Sequence, residues 1–294
     1  MAGNQNEMSF WGHLDALRSV LFKIAIVMVV LCVAAFCVMP WFFDHVILAP
    51  CSGDFATYKF FDLISGAGIL PPELSTDSDF KVNLVSMQLT TQFFIHMSAS
   101  CWLAFVVGFP IIIYLLWTFV EPALYEKEKR GIHRAFLFGN LMFFLGVLVG
   151  YFVVLPLAVR FLSQYTLSSQ ISGMVSLESY MDNFFTMILL MGIVFELPLL
   201  SWMLGKMGLL KRTFFKRFRR HAIVALLILA GLITPTGDPF TLFAVFIPVY
   251  ALWEFSAALV PKKTQDDEDD DEQPEEDEAD KAITDKSETD KASL

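Results

Sequence analysis

Six stretches of this chain are too apolar and too sparsely charged to be at home in water: about residues 20–43, 91–120, 134–162, 183–204, 221–233 and 240–259. At about 1.5 Å of helical rise per residue, the first four match or exceed a hydrocarbon core of roughly 30 Å. A backbone in that medium must satisfy its own hydrogen bonds, which restricts such segments to helices. The expected fold is an all-α polytopic membrane protein of six transmembrane helices. Spans five and six are expected to be short, with Glu254 marking the wet end of the sixth. Pro110 is expected to bend span two, Pro156 lies near the far end of span three, and Pro198 bends span four, so the bundle should be bent and concave. Composition agrees: 55% hydrophobic residues and 30 Phe among 294 residues exceed what a soluble domain of this size can bury.

Charge sets the orientation. Residues 266–294 hold 15 Asp/Glu and 3 Lys of the chain's 31 acidic and 21 basic side chains, leaving 16 acidic and 18 basic in the body. Residues 261–294 therefore read as a disordered acidic tail, and 20–260 as the membrane domain. Of the 18 basic residues, Lys59, Lys81 and Arg160 flank one side of the spans and the other 15 flank the opposite side. The positive-inside rule then puts both termini in the cytoplasm. Residues 1–19 read as a cytosolic amphipathic segment: Ser9 can cap a helix that carries Phe10, Leu14, Leu17 and Leu21 on one face. The apolar run after Val20 is longer than a signal-peptide core, so no cleavable leader is expected. Cys32, Cys37, Cys51 and Cys101 lack metal-ligand spacing and read as small core residues.

Two features could carry chemistry. Trp117 to Arg130 joins spans two and three and holds Glu121, Glu126 and Glu128 among Lys127, Lys129 and Arg130. On charge alone this is a solvated loop of weak ion pairs. Trp117, Phe119, Pro122, Leu124 and Tyr125 favour a fixed interfacial loop, whose carboxylates would suit a guanidinium that binds bidentately and stacks. Glu196, within span four, is either a functional intramembrane carboxylate or a protonated glutamate in a helix contact. Lys211 to Arg220 is chiefly the positive-inside signal, Asp15 and Arg18 can pair three residues apart, and Asp238 in T-P-T-G-D-P reads as a turn or cap residue. No G-x-S-x-G, H-E-x-x-H or P-loop occurs, and His13, His45, His96, His133 and His221 are scattered, so no enzyme activity, metal or cofactor is expected.

The motifs taken together resemble those of a known family. H-L-D-A-L-R at 13–18 is similar to H-L-x-E-L-R, and F-V-E-P-A-L-Y-E-K-E-K-R at 119–130 is similar to F-x-x-P-A-L-Y-x-x-E-R-R. F-L-G-V-L-V-G-Y-F-V-V-L-P-L-A, F-E-L-P and I-T-P-T-G-D follow in the same order. The pattern, from His13 to Leu259, resembles the TatC family, the multispanning receptor subunit of the twin-arginine protein translocase.

The resemblance implies a multi-pass protein of the bacterial inner membrane that binds twin-arginine signal peptides of folded cargo on the cytosolic face. It implies TatA-type and TatB-type single-span partners, more than one copy in the receptor complex, contact with lipid and not nucleic acid, and export driven by the proton-motive force. By similarity Glu128 engages a signal-peptide arginine, with Phe119, Pro122, Leu124 and Tyr125 around it and Leu17 and Arg18 in the N-terminal motif. Glu196 and Tyr151 match the family's intramembrane glutamate and span-three tyrosine, Pro50 its first-loop proline and Asp238 its aspartate before span six. Two positions depart from the pattern. Ala16 stands where the family has glutamate, leaving Asp15, about 100° around the helix, or Glu121 to supply a second carboxylate. Leu242 stands where a polar glutamine is usual. The rival reading is a proton-coupled transporter or channel using Glu196, although the chain shows no repeated halves.

Overall fold

The computed structural model describes residues 10–60, 80–120, 132–165, 174–206, 210, 212–234 and 238–260. Nine α-helices are defined among them. In chain order they are α1 Phe10–Phe42, α2 Thr91–Val120, α3 Ile132–Val149, α4 Leu155–Gln164, α5 Leu177–Val194, α6 Leu197–Lys206, α7 Arg212–Arg217, α8 Arg219–Ile233 and α9 Pro239–Leu259. A π-helical turn, Gly150–Val154, joins α3 to α4, and Phe195 and Glu196 join α5 to α6. Five segments are long and apolar enough to cross a membrane: Leu14–Cys51, Thr91–Phe119, Phe136–Ser163, Leu177–Lys206 and Pro239–Leu259.

Two expectations need revision. Helix α9 is not short: its 21 residues span about 31 Å. It passes Glu254 because that carboxylate is held by Arg219 Nη2 at 2.7 Å and by the Tyr250 hydroxyl at 2.8 Å, so the charge need not end the helix. The helix of span four starts six residues before Asn183, at Leu177, where Ser176 caps it by accepting the Ser179 amide at 3.2 Å. Helix α8, by contrast, has only 15 residues, about 22 Å. Pro40 and Pro110 lie inside unbroken α1 and α2. The helical pattern is interrupted at Gly150–Val154 and at Phe195–Glu196, where Pro198 two residues on cannot donate a backbone hydrogen bond.

The core is built on α5. Its Met181, Met187 and Met191 are fully buried beside Tyr180, Phe184, Ile188 and Val194. Leu155 and Ala158 of α4, Leu226, Ala230 and Ile233 of α8 and Val245 and Val249 of α9 belong to the same cluster. Glycine lets α3 and α5 approach. A Cβ on Gly146 would lie 2.6 Å from the Met191 carbonyl oxygen, and one on Gly192 would lie 2.8 Å from the Phe143 ring. Outward-facing Leu21, Ile26, Val29, Val33, Leu137, Leu141, Ile228 and Ile247 leave an apolar exterior suited to lipid.

Between α1 and α2 the chain forms short pieces: a π-helical turn Phe43–Ile47, a 3-10 turn Ala49–Cys51 and a helical turn over 56–60. Strand β1, Leu84–Val85, pairs in parallel with β2, Val175–Ser176, in the register Leu84 to Val175 and Val85 to Ser176. The Thr91 hydroxyl donates to the Glu178 carboxylate, tying the start of α2 to that of α5.

Candidate functional site

The sequence-derived site residues fall in three places. The first is the end of the bundle where α1 begins and α2 stops. Helices α1 and α2 run antiparallel along a long interface, with Cys32 beside Cys101, Phe36 stacked on His96, and a Cβ on Gly108 only 2.8 Å from Leu31. Continued along both helices, that register brings Leu17 to Val20 level with Phe119. Asp15 and Arg18 are exposed, Leu17 and Phe119 half-buried, and the Arg18 guanidinium lies 5.5 Å from the centre of the Phe22 ring. Leu14, Leu17, Arg18, Leu21, Phe22 and Ala25 line a shallow, mostly apolar groove there. Trp117 adds a feature that motif reading missed, a buried indole Nε1–H without a hydrogen-bond partner among the described residues. Glu121, Pro122, Leu124, Tyr125 and Glu128 lie outside the described residues, as does the acidic tail.

The second place is the break in span four. Glu196 is half-buried, its amide bonded to the Ile193 carbonyl and its own carbonyl accepting from Leu200, both at 3.0 Å. Its carboxylate lies against the backbone of α3. A Cβ on Gly139 would sit 3.2 Å from Oε2 and 3.6 Å from Oε1. Only glycine leaves that surface clear, and nothing in the spacing of the sequence singles out Gly139.

The third place is the turn after α1. Prolines remove the donor that a carbonyl four residues earlier would use in a helix, and here side chains from distant elements replace it. Pro50 frees Val46, whose carbonyl accepts the Tyr151 hydroxyl at 2.8 Å. Pro156 frees Phe152, which accepts from Thr57 Oγ1 at 2.6 Å. The carbonyls of Pro50 and Pro156 themselves accept the Tyr58 hydroxyl at 2.9 and 3.2 Å, and Tyr180 donates to Ile47. Burial pushes the Tyr58 hydroxyl pKa well above the usual tyrosine value, so it remains a donor. Pro50 and Tyr151 thus meet in one structural device, while Asp238 caps α9 by accepting the Thr241 amide at 2.7 Å. Thr57, Tyr58 and Tyr180 escaped the sequence reading, although a search for donors to proline-freed carbonyls would have justified looking for them.

Residues 12–248 match the family described as Sec-independent protein translocase protein (TatC). The chain belongs to the TatC family. A TatC protein of Blattabacterium sp. subsp. Periplaneta americana is 31% identical over 256 residues, covering 87% of this chain and 96% of that one. One from Deinococcus radiodurans is 34% identical over 179 residues, 61% of this chain and 66% of its own. The fold is also similar to two crystal structures of the twin arginine translocase receptor TatC. The one in DDM has a TM-score of 0.68 at 28% identity, covering 85% of this chain and 99% of that one. The other has a TM-score of 0.60 at 30% identity, with 84% and 97% covered. The chain is thus a membrane component of a protein translocase. Among the described residues no group of three or more His, Cys, Asp or Glu could hold a metal ion.

Proposed function

We propose that this TatC-family chain is the signal-peptide receptor of a twin-arginine translocase, a non-enzymatic transport subunit of the bacterial inner membrane. The observation that carries the reading is F-V-E-P-A-L-Y-E-K-E-K-R at 119–130 in register with the family match. In it Glu128 takes one guanidinium of the signal peptide, while Phe119, Pro122, Leu124 and Tyr125 shape the surroundings. Leu17 and Arg18 at the start of α1 complete the site from the neighbouring helix, and with Ala16 in the motif the second carboxylate comes from Asp15 or Glu121. Charge-assisted bidentate bonds at a partly wet interface select arginine and still release it.

The 15 basic residues on one side support cytoplasmic termini and a sixth crossing through α8. At about 22 Å that helix would thin the bilayer or require a partner helix, which fits TatA-type and TatB-type single-span subunits assembling with several receptor copies. Glu196 serves a later step of proton-motive-force-driven export, with Tyr151 and Pro50 stabilising the turn after α1 and Asp238 the start of α9. The apolar side chain of Leu242, packed against the core, makes any partner contact there one of shape and not hydrogen bonding.

The test is photo-crosslinking of a twin-arginine signal peptide to the protein in membranes, with a twin-lysine peptide as control. Lysine lacks the planar fork, so crosslinking should fall about tenfold or more, equivalent to roughly 1.4 kcal/mol for a lost bidentate bond. Equal yields from the two peptides would overturn the assignment.

A further inference from the structure

Cys32 of α1 and Cys101 of α2 place their sulfurs 3.1 Å apart, in contact but not bonded. Neither thiol is sealed inside the protein: Cys32 is half-buried and Cys101 exposed on the apolar exterior. Cys32 lies near the middle of the apolar run 20–43, fourteen residues and about 21 Å of helix from Arg18. The nearest charge along α1, Lys23, is nine residues and about 13 Å of helix away, so within a hydrocarbon core the pair is remote from water-borne oxidants and from a cation that would stabilise a thiolate. The helices carrying the pair are held on both sides of it, by the Phe36 and His96 rings stacked 3.9 Å apart in one direction and by the close packing of Leu31 on Gly108 in the other.

We propose that Cys32 and Cys101 form an intramembrane dithiol site that a lipid-soluble quinone oxidises to a disulfide between α1 and α2. Both S–H bonds break and one S–S bond forms, while two electrons and two protons pass to the quinone, which leaves as hydroquinone. The sulfurs must close by only about 1 Å to reach a bond of roughly 2.05 Å, a step on the scale of a side-chain rotation. An apolar oxidant is required because the pair faces hydrocarbon. Cys37, exposed on α1, and Cys51, buried in the turn after it, are internal controls for general thiol oxidation. The site's chemistry does not depend on the receptor reading.

The full chain in native membranes is treated with a short-chain benzoquinone or with oxidised glutathione. It is then denatured, its free thiols are blocked, and it is reduced and mass-tagged. The quinone should protect two thiols from blocking in about half or more of the chains, whereas glutathione disulfide should protect few. Peptides spanning residues 32 and 101 should be recovered as a linked pair from a monomeric band. Four blocked thiols after quinone treatment would overturn the site and leave an ordinary thiol contact. So would a linked dimer in place of the monomer, or protection that persists in Cys32→Ser and Cys101→Ser. Cys37→Ser, five residues along α1 from Cys32 and outside the sulfur contact, should retain it.

Discussion

His96 of α2 donates its Nε2–H across 3.0 Å to the carbonyl of Phe36 in α1. A carbonyl can only accept, so this nitrogen carries the proton. Phe36 needs the donor because Pro40, four residues later in the same helix, has none to offer. The two rings stack at 3.9 Å, so the bond and the packing share one geometry. Removing the donor as His96→Leu should destabilise the protein by about 1–3 kcal/mol, the cost of a carbonyl left unpaired on the apolar, lipid-facing exterior. In a Pro40→Ala background the alanine amide can bond to Phe36, and the same substitution should cost less. Denaturant unfolding in detergent of the four variants measures this, and equal costs in both backgrounds would show that the proline is not the reason for the bond.

The same logic applies to Tyr151 and the Val46 carbonyl freed by Pro50. Tyr151→Phe keeps the edge contacts with Phe55 and Phe184 and removes only the hydroxyl, so it should cost about 1–2 kcal/mol. Tyr151→Leu, which also loses those edges, should cost more. Comparing their unfolding midpoints separates bond from packing, and a silent Tyr151→Phe would mean that the carbonyl finds another donor.

Two glycines of α3 should respond differently to an added methyl. At Gly146 a Cβ meets the Met191 backbone oxygen at 2.6 Å and Phe195 Cβ at 2.8 Å, neither of which can yield without shifting α5. Gly146→Ala should destabilise by about 1–3 kcal/mol. At Gly139 the nearest atom is the tip of Leu199, which can rotate away, so Gly139→Ala should cost less stability while displacing the Glu196 carboxylate. Thermal unfolding ranks the two, and the reverse order would contradict the packing described.

Glu128 and Glu196 should separate binding from transport. Glu128→Ala is expected to abolish signal-peptide crosslinking while the protein still inserts, and Glu196→Gln to preserve crosslinking and impair export of a folded reporter. Gly139→Ala should resemble Glu196→Gln in weaker form. If Glu128→Ala crosslinks normally, recognition lies elsewhere on the cytosolic end.

Much of the architecture was legible because membrane-length apolarity depends on local composition. The apolar runs at 91–120 and 240–259 coincide with α2 and α9 almost residue for residue. The shortness expected of span six did not hold, because Glu254 looked like a charge seeking water, and the partners that hold it, Arg219 and Tyr250, include one 35 residues away. At the candidate site, motif order proposed Phe119, Leu17, Arg18 and Glu196, and the aromatic run included Trp117, but neither the unpartnered Trp117 Nε1–H nor Gly139 could be read from it. A buried N–H and a glycine against a carboxylate leave no periodic trace.

The sequence by itself determined that this chain crosses a membrane on helices, which side carries its positive charge, and the family to which its motifs point. Those properties sum over neighbouring residues. Only the tertiary structure decided how the prolines are accommodated: His96 serves Phe36 from 60 residues away, Thr57 serves Phe152 from 95, and Tyr151 serves Val46 from 105. A proline announces that a carbonyl will be orphaned, but the donor that answers is chosen by which helices pack together, and that choice is not written in any local stretch.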